Sequence, residues 1–120
     1  MKFDLEDRLV DFSVLVLNLA ESLPDTRTCN HLASQAIRSC TCPALSYGEA
    51  QGAESPKDFI HKMKIALKEL RETFINLKIV LKKKCLKDET LIRQAMKENN
   101  ELISIFVKSI STAQGNLDAD

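Results

Sequence analysis

The stretch that decides the fold runs from Ser55 to Lys84 and reads SPKDFIHKMKIALKELRETFINLKIVLKKK. Ser55 and Pro56 are typical of a helix start, because a serine hydroxyl can accept a hydrogen bond from a free backbone N–H and proline suits the first helical position. No glycine interrupts the stretch, and no proline follows Pro56. The sequence therefore predicts one unbroken helix, about 40 Å long at 1.5 Å per residue.

One side of this predicted helix is apolar. At about 100° of rotation per residue, its aliphatic and aromatic side chains fall within an arc of about 160°. We expect this arc to face the core of a helical bundle. Its members are Ile60, Met63, Ala66, Leu67, Leu70, Phe74, Leu77, Val80 and Leu81.

The opposite side of the same helix carries isoleucines and bases. Ile65, Ile75 and Ile79 point away from the apolar arc. A second set, here called the basic ridge, also falls on one side of the helix and consists of Lys57, Lys64, Lys68, Arg71, Lys78 and Lys82. Three interpretations of the ridge are open: a solvated face, a contact between subunits, or a surface that follows a nucleic-acid backbone.

Two helices are predicted at the ends of the chain. Apolar residues at helical spacing predict a helix over residues 4–23, ended by Pro24, and another that begins at Asp88. Residues 114–120 lack periodicity and are predicted to fray. The chain is therefore predicted to be one domain over residues 1–113 with a short tail.

The remaining helix, from about Thr26 to Ala50, is the least regular. Pro43 lies inside it and removes one backbone donor, so we expect a kink or a break near Ser39. No strand-like alternation is present. Four helices with short connections predict an all-α fold, an antiparallel up-down-up-down four-helix bundle.

The first predicted helix also has a second apolar stripe, which faces away from its core stripe. Val10, Val14 and Leu17 form this stripe, and Asp7, Asp11, Glu21 and Asp25 flank it. A monomeric bundle needs one apolar stripe per helix, so the extra stripes predict self-association. A wide core face in a tilted bundle is the alternative. The predicted interface residues are Val10, Val14, Leu17, Ile65, Ile75 and Ile79.

Composition narrows the class of protein. With 120 residues, 44% hydrophobic and 28% charged, the chain has the composition of a globular domain and not of a disordered one. No apolar run reaches the roughly 18 residues of a membrane helix, and acids interrupt the region where a signal peptide would lie. We therefore expect a cytoplasmic protein.

Residues for catalysis or metal binding are sparse. The two histidines, His31 and His61, are not part of any paired carboxylate–histidine motif, and no nucleotide-binding motif is present. Cys40 and Cys42 form a C-x-C pair, which lacks the spacing of common zinc motifs. The sequence predicts no enzyme activity, no metal and no cofactor.

A series of residues between Leu32 and Thr73 is in register with one protein family. The series comprises Leu32, Gln35, Arg38 and Ser39, then Glu49-Ala50-Gln51, Ala53-Glu54-Ser55, Asp58-Phe59-Ile60-x-Lys62-Met63, Ile65-Ala66-Leu67-Lys68-Glu69 and Arg71-Glu72-Thr73. It resembles the four-helix bundle proteins, also called 23S rRNA intervening-sequence proteins. The name records the location of some of their genes and is not evidence of rRNA binding.

The resemblance implies an antiparallel four-helix bundle and a ring-like homopentamer. A related branch, the accessory variability determinant proteins of diversity-generating retroelements, consists of basic pentamers that bind RNA and a reverse transcriptase. The resemblance thus implies a non-catalytic scaffold of largely unknown molecular function, with RNA or a nucleic-acid-processing protein as its candidate partner. The zero net charge of this chain departs from that basic branch. A protein-interaction adapter without nucleic-acid binding is the alternative function.

Five positions are the polar residues of the family pattern. We expect Arg38 to pair with an acid of the long helix and so fix the register of two helices. The alternative is a ligand site. The five residues are Gln35, Arg38, Glu49, Glu69 and Glu72.

Overall fold

The computed structural model describes residues 4–119, and every regular element in that range is a helix. The elements are α1 (Leu5–Glu21), α2 (Arg27–Cys40), α3 (Cys42–Gln51), α4 (Pro56–Lys83) and α5 (Thr90–Ala119). They pack into a rod of 53 × 30 × 21 Å. The predicted all-α fold is confirmed.

Helix starts are set by side-chain caps, as the sequence indicated. The Thr26 hydroxyl accepts a hydrogen bond from the Cys29 N–H at 3.1 Å, and the Ser55 hydroxyl accepts one from the Asp58 N–H at 3.1 Å. Each bond satisfies a backbone donor that the first helical turn leaves free. These two caps fix the beginnings of α2 and α4.

The bundle has four helical arms, and the second arm, which comprises α2 and α3, is broken. The position of Pro43 in the sequence predicted this break. α2 ends at Cys40, Thr41 separates the two helices, and α3 begins at Cys42. Pro43 lies in the first turn of α3, where its missing N–H costs no helical hydrogen bond. Both halves pack against α1 and against α4, so together they occupy one position in the bundle.

The arrangement of the arms decides which surfaces can serve as sites. α1 and α4 each pack against the α2–α3 arm and against α5. Among the described residues the backbones of α1 and α4 do not approach each other closely, so the two helices lie at diagonal corners. The outer side of α1 therefore lies across the bundle from the outer side of α4.

The core lies between the four arms and includes most of the predicted α4 arc. Leu67, Phe74 and Leu81 are half-buried at its edge, while the other arc residues are buried. Side chains with at most 1% exposure include Leu9, Phe12, Val16, Met63, Ala66, Leu70, Leu77, Ile92, Ala95, Leu102 and Phe106.

Buried polar side chains also connect the arms, which apolar periodicity does not predict. Asn99 Nδ2 donates to the Leu70 carbonyl at 3.0 Å, and the hydroxyls of Ser39 and Thr73 share a hydrogen bond at 2.8 Å. These bonds join α5 to α4 and α2 to α4. They restrict the sliding of neighbouring arms, because a shifted register would leave buried polar atoms without partners.

The prediction of a frayed tail is wrong as far as Ala119, because α5 continues to that residue. Gln114 Nε2 donates to Asp118 Oδ1 at 2.9 Å, a side-chain bond at i, i+4 spacing that supports a helix. Gly115 costs a helix only about 1 kcal/mol and does not stop it. Residue 120 lies outside the described range.

Candidate functional site

The predicted second stripe of α1 is only partly exposed. Val10 and Val14 are 46% and 48% exposed, whereas Leu17 is half-buried and packs against the core. The α1 outer face is defined here as Asp7, Val10, Asp11, Val14 and Glu21. Its apolar part consists of the two valines.

The corresponding stripe of α4 is also narrower than predicted. Ile75 and Ile79 are 56% and 48% exposed, while Ile65 is half-buried. The α4 outer face is defined here as Lys68, Arg71, Ile75, Ile79 and Lys82.

A groove of about 250 Å³ separates α2 from α4 and adjoins the α4 outer face. Ile75 and Ile79 contribute to its lining, opposite Gln35 and Arg38 of α2. Asn76 lies deeper in it, and its Oδ1 is buried without a hydrogen-bond partner in the described chain. The α4 outer face is thus bordered by a concave surface.

The acids of the α1 outer face are not neutralised by any base of the described chain. Asp7, Asp11 and Glu21 are exposed, and none forms an ion pair with a residue between 4 and 119. A hydrogen bond with Asp4 and the negative charges of Asp4, Glu6 and Asp11 raise the pKa of Asp7. The α1 outer face therefore carries acids that no ion pair within residues 4–119 neutralises.

The bases of the ridge likewise form no ion pair within residues 4–119. All six of them are exposed. The Lys78 ammonium lies 5.5 Å from the centroid of the Phe74 ring, while Lys64 and Arg71 border a groove between α4 and α5. The ridge and the two exposed isoleucines occupy the same outward side of α4.

Among the polar residues of the family pattern, the expected ion pair of Arg38 does not form with any acid between residues 4 and 119. Burial and the neighbouring Glu72 raise the pKa of Glu69, and the charge of Arg38 acts in the opposite direction. Glu49 Oε2 instead pairs with Lys62 Nζ at 3.3 Å. The ion pair that joins the broken arm to α4 therefore comes from α3 and not from α2.

The strongest ion-pair cluster was missed by sequence reasoning. Arg8 Nε and Nη2 donate to the two carboxylate oxygens of Glu98 at 2.7 Å each, and Nη2 also reaches Glu101 at 3.1 Å. The bonds to Glu98 raise the pKa of Arg8. The cluster joins α1 to α5 across 90 positions of sequence, so no local pattern predicts it.

The cysteines and histidines do not assemble into a site. His31 and His61 are exposed on α2 and α4, and residues 4–119 contain no group of three ligands that could hold a metal. Burial raises the pKa of the Cys40 thiol to about 11. A hydrogen bond with Thr26 and another with Cys85 lower the pKa of Cys29.

Within residues 4–119, none of the helices combines the length and the apolar character that crossing a membrane requires.

The fold and these surfaces define an all-helical bundle with two charged and partly apolar outer faces. Residues 2–108 match the family described as 23S rRNA-intervening sequence protein, and the chain belongs to this family. The resemblance predicted from the residues is therefore confirmed.

A solved structure has the same architecture. It is the crystal structure of a protein with unknown function from the S23 ribosomal protein family of Bacteroides thetaiotaomicron. The two chains are 28% identical and superpose with a TM-score of 0.79, over 88% of this chain and 96% of that one. No curated protein matches this chain.

Proposed function

We propose that the chain is a non-catalytic, cytoplasmic scaffold that assembles with copies of itself into a ring. The family resemblance supports a homopentamer. The observation that carries the proposal is the exposure of Val10 and Val14 on α1 and of Ile75 and Ile79 on α4, each between 46% and 56%. Clustered aliphatic side chains at this exposure are typical of a surface that a partner covers.

The proposed bundle has antiparallel order. Phe59 and Ile105 border one groove, Asn99 binds the Leu70 carbonyl, and Val80 and Ile92 border another groove. Later positions of α4 thus meet earlier positions of α5, as two antiparallel helices do. Short connections between the helices favour the same order.

A ring follows from the placement of the two faces. The faces belong to diagonal helices, so one copy cannot bury both of them against the same surface of a neighbour. A contact from α1 of one copy to α4 of the next leaves one α1 face and one α4 face free at the two ends. Such head-to-tail contacts continue until the rotation closes a ring.

Light scattering of the wild type tests the proposal. At micromolar concentration we expect an assembly larger than a dimer of the 13.5 kDa chain. Val14→Asp should lower the mass while circular dichroism still shows a helical fold, because its carboxylate is buried only in the assembly. Leu45→Asp is the matched control, since Leu45 is 68% exposed but lies on α3. A wild-type monomer at this concentration would contradict the proposal.

RNA binding by the basic ridge is a second candidate function. It is favoured by six exposed bases without ion-pair partners in the described range. Each neutralised phosphate should contribute about −0.7 to the slope of log affinity against log salt for a single strand. With five Phe, one Tyr and no Trp, the chain offers little base stacking, so binding should be indifferent to sequence.

Titration of labelled single-stranded RNA separates this function from that of an adapter without nucleic-acid binding. We expect Lys64→Glu/Lys68→Glu/Arg71→Glu to lose binding. The control Lys87→Glu/Lys97→Glu/Lys108→Glu makes the same change of charge away from the ridge, on exposed positions, and should retain it. No binding by the wild type at low salt would leave the adapter as the function.

A further inference from the structure

We infer that the partner of the α4 outer face is the α1 outer face of a second copy, with the acids of α1 placed against the bases of α4. The inference rests on the proposed self-assembly and adds to it the identity of the two surfaces that meet. It also assigns the bases of the α4 outer face a role in the contact between subunits, which their exposure alone does not establish.

The two faces have matching layouts along their helices. On α1, acids lie seven and three residues before Val14 and seven residues after it, at Asp7, Asp11 and Glu21. On α4, bases lie seven and four residues before Ile75 and seven residues after it, at Lys68, Arg71 and Lys82. Each set therefore spans about 21 Å of helix at 1.5 Å per residue, with an exposed aliphatic side chain in the middle.

Setting Val14 against Ile75 brings opposite charges together at both ends of the contact. If the two helices run in the same direction, Asp7 lies opposite Lys68 and Glu21 lies opposite Lys82. This direction fits a ring, because α1 and α4 run the same way in the proposed antiparallel bundle and a rotation about the bundle direction preserves it. Val14 would then rest on Ile75 at the edge of the groove between α2 and α4, while Val10 would lie opposite Arg71 and Ile79 opposite Asn18.

Neither face is satisfied by its own chain. The acids and the bases lack ion-pair partners within residues 4–119, and the two valines and two isoleucines remain about half exposed. Opposite potentials steer association and penalise the contact of like faces, so α1 with α1 and α4 with α4 are both disfavoured. The contact is therefore head-to-tail.

The isoleucines favour a protein over RNA as the occupant of the α4 outer face. A phosphate backbone would neutralise the bases but would leave Ile75, at 56% exposure, without an apolar partner. A helix that carries valines between acids satisfies both features of the face. RNA is accordingly the competing outcome of the test.

Charge reversal on each face, alone and combined, tests the inference. The α1 variant is Asp11→Lys/Glu21→Lys, which keeps the acids of the first helical turn. The α4 variant is Lys68→Glu/Arg71→Glu, in the middle of its helix. Each should raise the concentration of half-dissociation more than tenfold in light scattering, because like charges then face each other. The fourfold variant should recover the wild-type mass, since the two faces are again complementary.

Controls separate the failure of this inference from the failure of self-assembly. Circular dichroism must show the wild-type helicity in every variant. Lys87→Glu/Lys108→Glu, on exposed positions before and within α5, should leave the mass unchanged. A wild type that is itself monomeric would contradict the proposed scaffold.

Two results would overturn the inference while self-assembly stands. The first is an assembled wild type whose fourfold variant stays dissociated, which would mean that the two faces do not meet. The second is an α4 variant that keeps its mass but loses RNA binding, which would make the α4 outer face a nucleic-acid surface.

Discussion

Both sides of α4 carry apolar residues at helical spacing, but the two sides differ in what surrounds these residues. On the inner side, Met63, Ala66 and Leu70 are at most 1% exposed. On the outer side, Ile75 and Ile79 are 56% and 48% exposed and lie among lysines and an arginine. The fold of one chain therefore accounts for the inner side, whereas the outer side is the one that the proposed assembly would cover.

Truncation on the inner side should have the largest effect on stability. Leu70 is fully buried at the middle of the core. Leu70→Ala should lower the free energy of unfolding by about 2–5 kcal/mol, because it leaves a cavity. Urea denaturation measures this loss. A loss below about 0.5 kcal/mol would contradict the assigned inner side, because such values are typical of surface positions.

Removal of the Arg8 cluster should have the next largest effect. Arg8→Met keeps the apolar stem of the side chain but leaves Glu98 and Glu101 without their cation, so we expect a loss of about 1–2 kcal/mol. The control is Arg93→Met, which removes an ion pair with Glu89 one helical turn away at 2.9 Å. Its loss should be about 0.3–0.5 kcal/mol. Equal losses in chemical denaturation would mean that the Arg8 cluster stabilises the fold no more than an ordinary surface ion pair does.

The smallest effect concerns Glu69, at the boundary between the two sides of α4. Burial and Glu72 raise its pKa in the folded state, against the opposing charges of Arg38 and Lys68. The ionised form therefore destabilises the fold, and the stability contributed by this group rises as the pH falls through the folded pKa. Glu69→Gln should raise the midpoint of thermal unfolding slightly at pH 7.

The pH dependence of this gain provides the check on Glu69. The difference between Glu69→Gln and the wild type should disappear in acid, where the wild-type carboxyl is protonated in both folded and unfolded states. At neutral pH we expect at most about 0.5 kcal/mol, because Glu69 is only half-buried and solvent screens its charge. A variant that is less stable than the wild type at pH 7 would contradict the raised pKa of Glu69 in the folded state.

Much of the fold could be predicted because its determinants are local. The caps at Thr26 and Ser55, the break near Pro43 and the inner side of α4 all follow from nearby residues. By contrast, Leu17 and Ile65 were predicted to be on the surface, and both are half-buried. Helical phase places them at the edges of their apolar arcs, where the neighbouring arm decides how much of each is covered.

The contacts that sequence reasoning missed are long-range. Arg8 meets Glu98, and Asn99 meets the Leu70 carbonyl, only after the arms have packed. For the outer faces, spacing predicted both the charges and the exposed aliphatics. It left open which surface would cover them in the proposed assembly, because that depends on a second molecule.

Disulfide trapping tests the central claim, that α1 of one copy covers α4 of the next, most directly. Cysteines at Val14 and Ile75 would face each other across the proposed contact, and a disulfide between them requires a Cα separation of about 4.4–6.8 Å. Mild oxidation of Val14→Cys/Ile75→Cys should give a series of covalent multimers on a non-reducing gel. Each single variant should give no more cross-linking than the wild type with its four native cysteines. Covalent dimers of Val14→Cys alone, or no cross-linking of the double variant while light scattering shows it assembled, would contradict the claim.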